Sequence, residues 1–168
     1  IKQQAQFTNT TESTPALVIG SVNDKFGHII INKGEAVGIK AGDAVVIKNY
    51  LIGEVVKSDQ EVSEVRLITS QESLIPVSSM TNNTQGISKG NINKGLLMQE
   101  VPQGGTLEQG EFIITSGVNS KFIRGLILGK VRSIDSNVNK ATKVAELDLV
   151  IDFSEISEVF VLDSVETL

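Results

Sequence analysis

The sequence predicts an all-β fold arranged as two small β-barrel-like domains of about six strands each. Short runs rich in Val and Ile recur along the chain, with turn signals between them at close intervals. One phrase also occurs twice. Gly42-Asp43-Ala44-Val45-Val46-Ile47 is answered by Leu51-Ile52-Gly53-Glu54-Val55, and Gly110-Glu111-Phe112-Ile113-Ile114-Thr115 by Ile127-Leu128-Gly129-Lys130-Val131. Each copy reads as two strands meeting across a turn. The Gly inside each second strand marks a bulge or bend, the device by which a small sheet curls toward a barrel.

Taken in order, Ile1 to Pro15 are polar and read as a linker or the end of a preceding helix, closed by Pro15. Strands are expected at Ala16–Ile19 and His28–Ile31, with the turn-rich Asn23-Asp24-Lys25 between them. Gly34, Gly38 and Gly42 then mark a compact turn in which glycines take positive φ. Further strands are expected at Ala44–Lys48, Leu51–Lys57, Glu64–Thr69, Ile75–Ser79, Gln85–Ser88 and Gly95–Gln99. After Pro102-Gln103-Gly104-Gly105 come Phe112–Thr115, Gly125–Ser133, Val144–Ile151 and Val159–Leu162, with a short helical turn around Ser154–Ser157. In Val144–Ile151 the alternation puts Ala145, Leu147, Leu149 and Ile151 on one face. The first two strands cannot close a barrel alone and the last needs a partner. The expected division is therefore an outer, discontinuous domain of 16–36 plus 100–163 with 37–99 inserted; a contiguous split near Asn83–Asn91 competes with it.

Composition narrows the function classes. The chain has 168 residues, of which 40% are hydrophobic and only 4% aromatic, so its core is aliphatic. Net charge is −5 and no block of Lys or Arg stands out, which argues against a phosphate-tracking nucleic-acid surface. The absence of Cys removes disulfides, thiolate metal sites and Cys nucleophiles. No apolar run approaches the roughly 18 residues of a membrane helix. The chain opens at Ile1 without an initiator Met and reads as part of a longer protein.

Candidate catalytic patterns are weak. Gly86-Ile87-Ser88-Lys89-Gly90 matches the G-x-S-x-G nucleophile elbow, but its flanks are polar, no helix follows and the sole histidine, His28, lies earlier. His28 with Asp43 or Asp59 and Ser88 or Ser116 has the His, Asp, Ser order of a chymotrypsin-like double barrel, an order that chance readily supplies at this length. One His without thiolates makes no structural zinc site. Asp135 and Asp148 read as solvated acids, and the charges of Glu54–Lys57 and Lys130–Arg132 as the wet face of half-buried strands. No catalytic, cofactor-binding or metal residue is therefore assigned, and no cofactor is expected. Phe122 and Ile123 stand between Lys121 and Arg124 in a connection longer than its counterpart in the first copy. Phe122, Ile123 and Arg124 either cover a barrel end or contact a partner.

Read with their surroundings, the two copies resemble the extracytoplasmic β-region of the MreC family of bacterial rod shape-determining proteins. The resemblance runs from Ala16-Leu17-Val18-Ile19-Gly20 through Ile31 to Val56, then through Gly110–Gly117, Phe122–Val131 and Glu158–Leu162. It departs at Lys48-Asn49-Tyr50, where the family tends to carry Gly, at Asn119-Ser120 and at Ile123 and Ile127; Asn49 is expected to take the left-handed turn position. The resemblance implies a scaffold of the cell-wall elongation machinery without an active site. It implies a penicillin-binding transpeptidase and other membrane elongation proteins as partners, self-association, and placement on the extracytoplasmic face of the membrane. An N-terminal membrane helix and coiled coil would precede the β-region, with 1–15 as coiled-coil end and linker. A chymotrypsin-like hydrolase is the alternative; a glycan-binding module ranks below it because few aromatics are available.

Overall fold

The computed structural model describes residues 13–22, 26–136 and 140–163. Among these, 12 strands form the fold. In chain order they are β1 (Ser13–Ser21), β2 (His28–Ile31), β3 (Ala44–Ile47), β4 (Tyr50–Ser58), β5 (Ser63–Leu67), β6 (Leu74–Ser79), β7 (Gln85–Asn91), β8 (Gly95–Pro102), β9 (Phe112–Thr115), β10 (Ile127–Asp135), β11 (Thr142–Asp148) and β12 (Glu158–Leu162). Short 3-10 turns occupy Glu35–Val37 and Phe153–Glu155, the second capped by Asp152, whose Oδ1 accepts the Ser154 N–H. Each expected strand has a counterpart. β1 begins at Ser13, so residues 13–15 belong to the sheet and not to a linker; the rest of the expected 1–15 segment lies outside the described residues.

The strands close into two rings. β4–β3–β12–β1–β2–β5 returns to β4 through the β4–β5 pair, and β10–β9–β6–β7–β8–β11 returns to β10 through β10–β11. The second barrel is thus the contiguous run β6 to β11, and the first combines β1 to β5 with β12. The pairing differs from the expected grouping of 16–36 with 100–163 around an inserted 37–99. Strands β3, β4 and β5 do not close with β6, β7 and β8; they complete the first ring with β1, β2 and β12. Local patterns locate strands, whereas ring membership is decided by long-range pairing that they do not encode.

All pairs within each ring are antiparallel, and the two rings share one strand order once β12 is matched to β6, β1 to β7 and β2 to β8. The first barrel is a circular permutation of the second. A single parallel bridge, Tyr50 with Ile127, joins them, and the Ile127 N–H donates to Asn49 O across 2.8 Å.

Two cores result. Ala16, Ile31, Val45, Ile52, Val65 and Val159 fill the first barrel. A larger cluster fills the second and continues across the junction, where Ala44, Val46, Leu51 and Leu162 on the outer face of the first barrel join it. Consecutive residues on β3 therefore face different cores, which accounts for the unbroken apolar run Ala44-Val45-Val46 in place of an alternating one.

Candidate partner-binding site

The repeated phrase is a repeated physical device. Gly42 and Gly110 take φ of 99° and 89°, left-handed values that bring the chain round ahead of β3 and β9. The Gly42 N–H donates to Val55 O at 2.8 Å and the Gly110 N–H to Val131 O at 2.7 Å. The acid that follows caps the same turn in both copies: Asp43 Oδ2 accepts the Lys40 N–H at 3.0 Å, and Glu111 Oε2 accepts the Glu108 N–H at 2.6 Å. Both acids are buried. Register slips beside Gly53 and Gly129, leaving Ile52 and Leu128 as the extra residues of matching bulges. Glycine is required there because a Cβ would collide with the Arg66 carbonyl oxygen at Gly53 and the Asp148 carbonyl oxygen at Gly129.

The connections inside the two copies diverge. Residues 48–49 alone join β3 to β4, and Lys48, not the expected Asn49, takes positive φ. Asn49 instead offers its carbonyl to Ile127. Gly34 likewise departs from the expected positive φ and is needed for space, since a Cβ would strike the Asp59 carbonyl oxygen. Residues 116–126 join β9 to β10. Thr115 organises this loop: its hydroxyl donates to Ile123 O at 2.7 Å and accepts the Leu126 N–H at 2.9 Å. Asn119 supplies a left-handed φ of 50° in this loop.

Of the three residues proposed to contact a partner, Phe122 is 7% exposed and sits in the core cluster shared across the junction, and Ile123 packs against that cluster. Arg124 is exposed, its guanidinium donating to Ser116 O and Asn83 Oδ1, each at 3.3 Å. The Lys121 side chain lies over Gly42 of the first barrel. The long loop is thus a brace between barrels, and Phe122 caps a core.

The hydrolase candidates are not poised for chemistry. Gly86 to Gly90 lies within strand β7, not at a strand-to-helix turn, and Ser88 is buried in the barrel wall opposite Ile75 and Met98. His28 donates from Nδ1 to Glu64 Oε2 at 2.7 Å across β2 and β5. Ser116 Oγ accepts the Val118 N–H, Asp43 caps its turn and Asp59 is exposed. Among the described residues, no group of His, Asp and Glu could hold a metal ion, and no helix is long and apolar enough to cross a membrane. Asp135 is exposed, as expected, and Asp148 pairs with Arg132 Nη1 at 3.0 Å.

A surface that sequence reasoning misses lies on the β1–β2 hairpin. Ala16 and Val18 face the first core, so Pro15, Leu17 and Ile19 face outward; Leu17 is 49% exposed and Ile19 57%. Phe26, in the connection, is 63% exposed. The available signal is the unbroken run Ala16-Leu17-Val18-Ile19, in which one face need not be core.

Comparison with known proteins gives the family. Residues 18–163 match the barrel core of rod shape-determining protein MreC. The cell shape-determining protein MreC of Haemophilus influenzae is 29% identical over 108 residues, covering 64% of this chain and 31% of that protein, so the chain spans about a third of that relative's length. The solved MreC of Listeria monocytogenes superposes with a TM-score of 0.85 at 21% identity, covering 99% of this chain and 88% of that one. A structure described as a complex between Penicillin-Binding Protein (PBP2) and MreC from Helicobacter pylori superposes with a TM-score of 0.76 at 19% identity, covering 92% and 98%. With its two permuted barrels, its duplicated Gly-acid hairpin and a family match over nearly its whole described length, this chain belongs to the MreC family of rod shape-determining proteins and comprises that family's barrel core.

Proposed function

We propose that this chain is the non-catalytic scaffold portion of a bacterial cell-wall elongation complex, acting in rod-shape determination by binding a penicillin-binding transpeptidase. The match of residues 18–163 to the MreC barrel core carries this reading. The solved complex of a related MreC with PBP2 supports the partner class. The reading places the barrels on the extracytoplasmic face of the membrane, anchored through a segment outside this chain, with self-association and further membrane elongation proteins as additional contacts. Within the 116–126 loop, the exposed Lys121 and Arg124 remain available to such contacts, whereas Phe122 is committed to the core.

The test is direct binding of the purified chain to the extracytoplasmic portion of the transpeptidase from the same organism, measured by biolayer interferometry, together with sedimentation analysis of the chain alone. Saturable binding is expected, with no labelling by a serine-reactive fluorophosphonate. If the chain neither binds the transpeptidase nor self-associates, the scaffold reading fails. Labelling that Ser88→Ala or Ser116→Ala abolishes would replace it with the hydrolase.

A further inference from the structure

Two connections carry the chain from one barrel to the other, residues 68–73 between β5 and β6 and residues 149–157 between β11 and β12. Units joined in this way move relative to one another by default, unless the surface between them is large and apolar. A hinge also needs a few residues free to absorb changes in φ and ψ. Neither condition for motion is met at this junction.

The first condition fails because the second core runs on into the first barrel. Ala44, Val46, Leu51 and Leu162 of the first barrel pack in one cluster with Val77, Ile113 and Leu128 of the second. The second condition fails because both connections are pinned. Ile68 belongs to that same cluster while its N–H donates to Ile52 O of β4 at 2.9 Å. A single residue is thus bound to one barrel by its backbone and buried in the other by its side chain. The Ser70 N–H then donates to Leu67 O and the Ser73 N–H to Ser70 O, both at 3.0 Å, which closes the turn. In the other connection Phe153 packs against both cores, and Ser157 O accepts the Val18 N–H at 2.8 Å.

Ser70 is the tightest point of the junction. It is 1% exposed and lies between a glycine of each barrel. Gly27, in the β1–β2 connection, comes so near that a Cβ there would stand 2.9 Å from Ser70 Cβ. Gly90, near the end of β7, comes from the second barrel, and a Cβ there would strike the carbonyl groups of Thr69 and Ser70. Only the thickness of the connection separates the barrels here, and a close-packed interior transmits such a constraint instead of absorbing it. The glycines of the Gly86-Ile87-Ser88-Lys89-Gly90 pattern thereby gain a reason that is not catalytic. Gly86 makes room for the Met98 side chain and Gly90 for the connection.

We propose that the two barrels form one rigid body without a hinge, and that Ser70, wedged between Gly27 and Gly90, sets the angle between them. The chain then holds its two outer surfaces at a fixed spacing, a property of the fold that stands whether or not the scaffold reading does. The test is the distribution of distances between spin labels, read by double electron–electron resonance. The chain contains no Cys, so paired Cys substitutions carry the labels without background. Exposed Glu61 and Gln109 report between the barrels, and exposed Glu61 and Glu158 report within the first and supply the reference width. The inter-barrel pair should give one distance no wider than the reference. Ser70→Gly, which removes the side chain of the wedge, should widen the inter-barrel distribution and leave the reference unchanged. Gly90→Ala should move its mean, with folding of each variant checked by circular dichroism; if Gly90→Ala fails to fold, Ser70→Gly alone decides. A wild-type inter-barrel distribution that is bimodal or clearly wider than the reference would overturn the rigid body. Folded variants that keep the wild-type mean and width would overturn the role of Ser70.

Discussion

The β3–β4 and β9–β10 hairpins share their turn, their capping acid and their bulge, and differ in what joins the strands. The first turns through residues 48–49 and stays within its own barrel; the second detours through 116–126 and lays Phe122 into the core at the junction. The shared parts are those that closing a small barrel demands, whereas the unshared part ties the two barrels together. Duplicated structure thus reports on the barrel, and the difference between copies on the assembly of two.

The strongest way to break this comparison is Phe122→Ala, which should cost about 3–5 kcal/mol of stability, read from the urea midpoint. A loss below about 1 kcal/mol would remove the brace. Next, Gly53→Ala and Gly129→Ala should each cost about 1–3 kcal/mol, because both Cβ atoms meet a neighbouring carbonyl oxygen; clearly unequal costs would mean that the bulges are not equivalent. Asp43→Ala and Glu111→Ala remove the acceptor for one turn N–H apiece and should cost about 1–2 kcal/mol, with the larger loss at the more deeply buried Asp43.

The smallest effect lies on the outer charges. In matching positions the first barrel pairs Glu54 with Arg66 and the second has Lys130 opposite Asp148. Beside the latter, Arg132 Nη2 donates to Glu146 at 2.7 Å and Lys94 adds a second contact at 3.2 Å. These bonds hold the Glu146 carboxyl below its ordinary range, with Arg132 the larger cause. A depressed carboxylate stabilises the fold above its unfolded titration range, and that contribution fades as pH falls through the lower folded value. Glu146→Gln should therefore lower neutral-pH stability slightly, the pair being solvent-exposed, and leave low-pH stability unchanged, so that the acid limb of the melting-temperature profile flattens a little. An unaltered acid limb would show that the network is not stabilising.

Strand positions were legible because Val- and Ile-rich runs between turn signals report local geometry. β3 is the clearest case: its unbroken apolar run reflects burial on both faces. Ring membership was not legible, since nothing local in Val159-Phe160-Val161 specifies β1 and β3 as its neighbours. Phe122 illustrates the same limit at the level of a site. Flanked by Lys121 and Arg124 it reads equally as an anchor or a plug, and only the approach of the first barrel decides. Leu17 and Ile19 err the other way, because an apolar strand residue reads as core until its barrel shows which side is filled.

The place of β12 sets an order on folding. Between β1 and β3 the first ring stays open until Glu158–Leu162 arrives, whereas β6 to β11 can close without any strand outside their own run. A chain emerging from its N-terminus would complete the downstream barrel first, leaving β1 and β3 with unpaired edges that invite strand addition from other molecules. That exposure is a consequence of the topology itself, ended only when the fold's final strand slots between them.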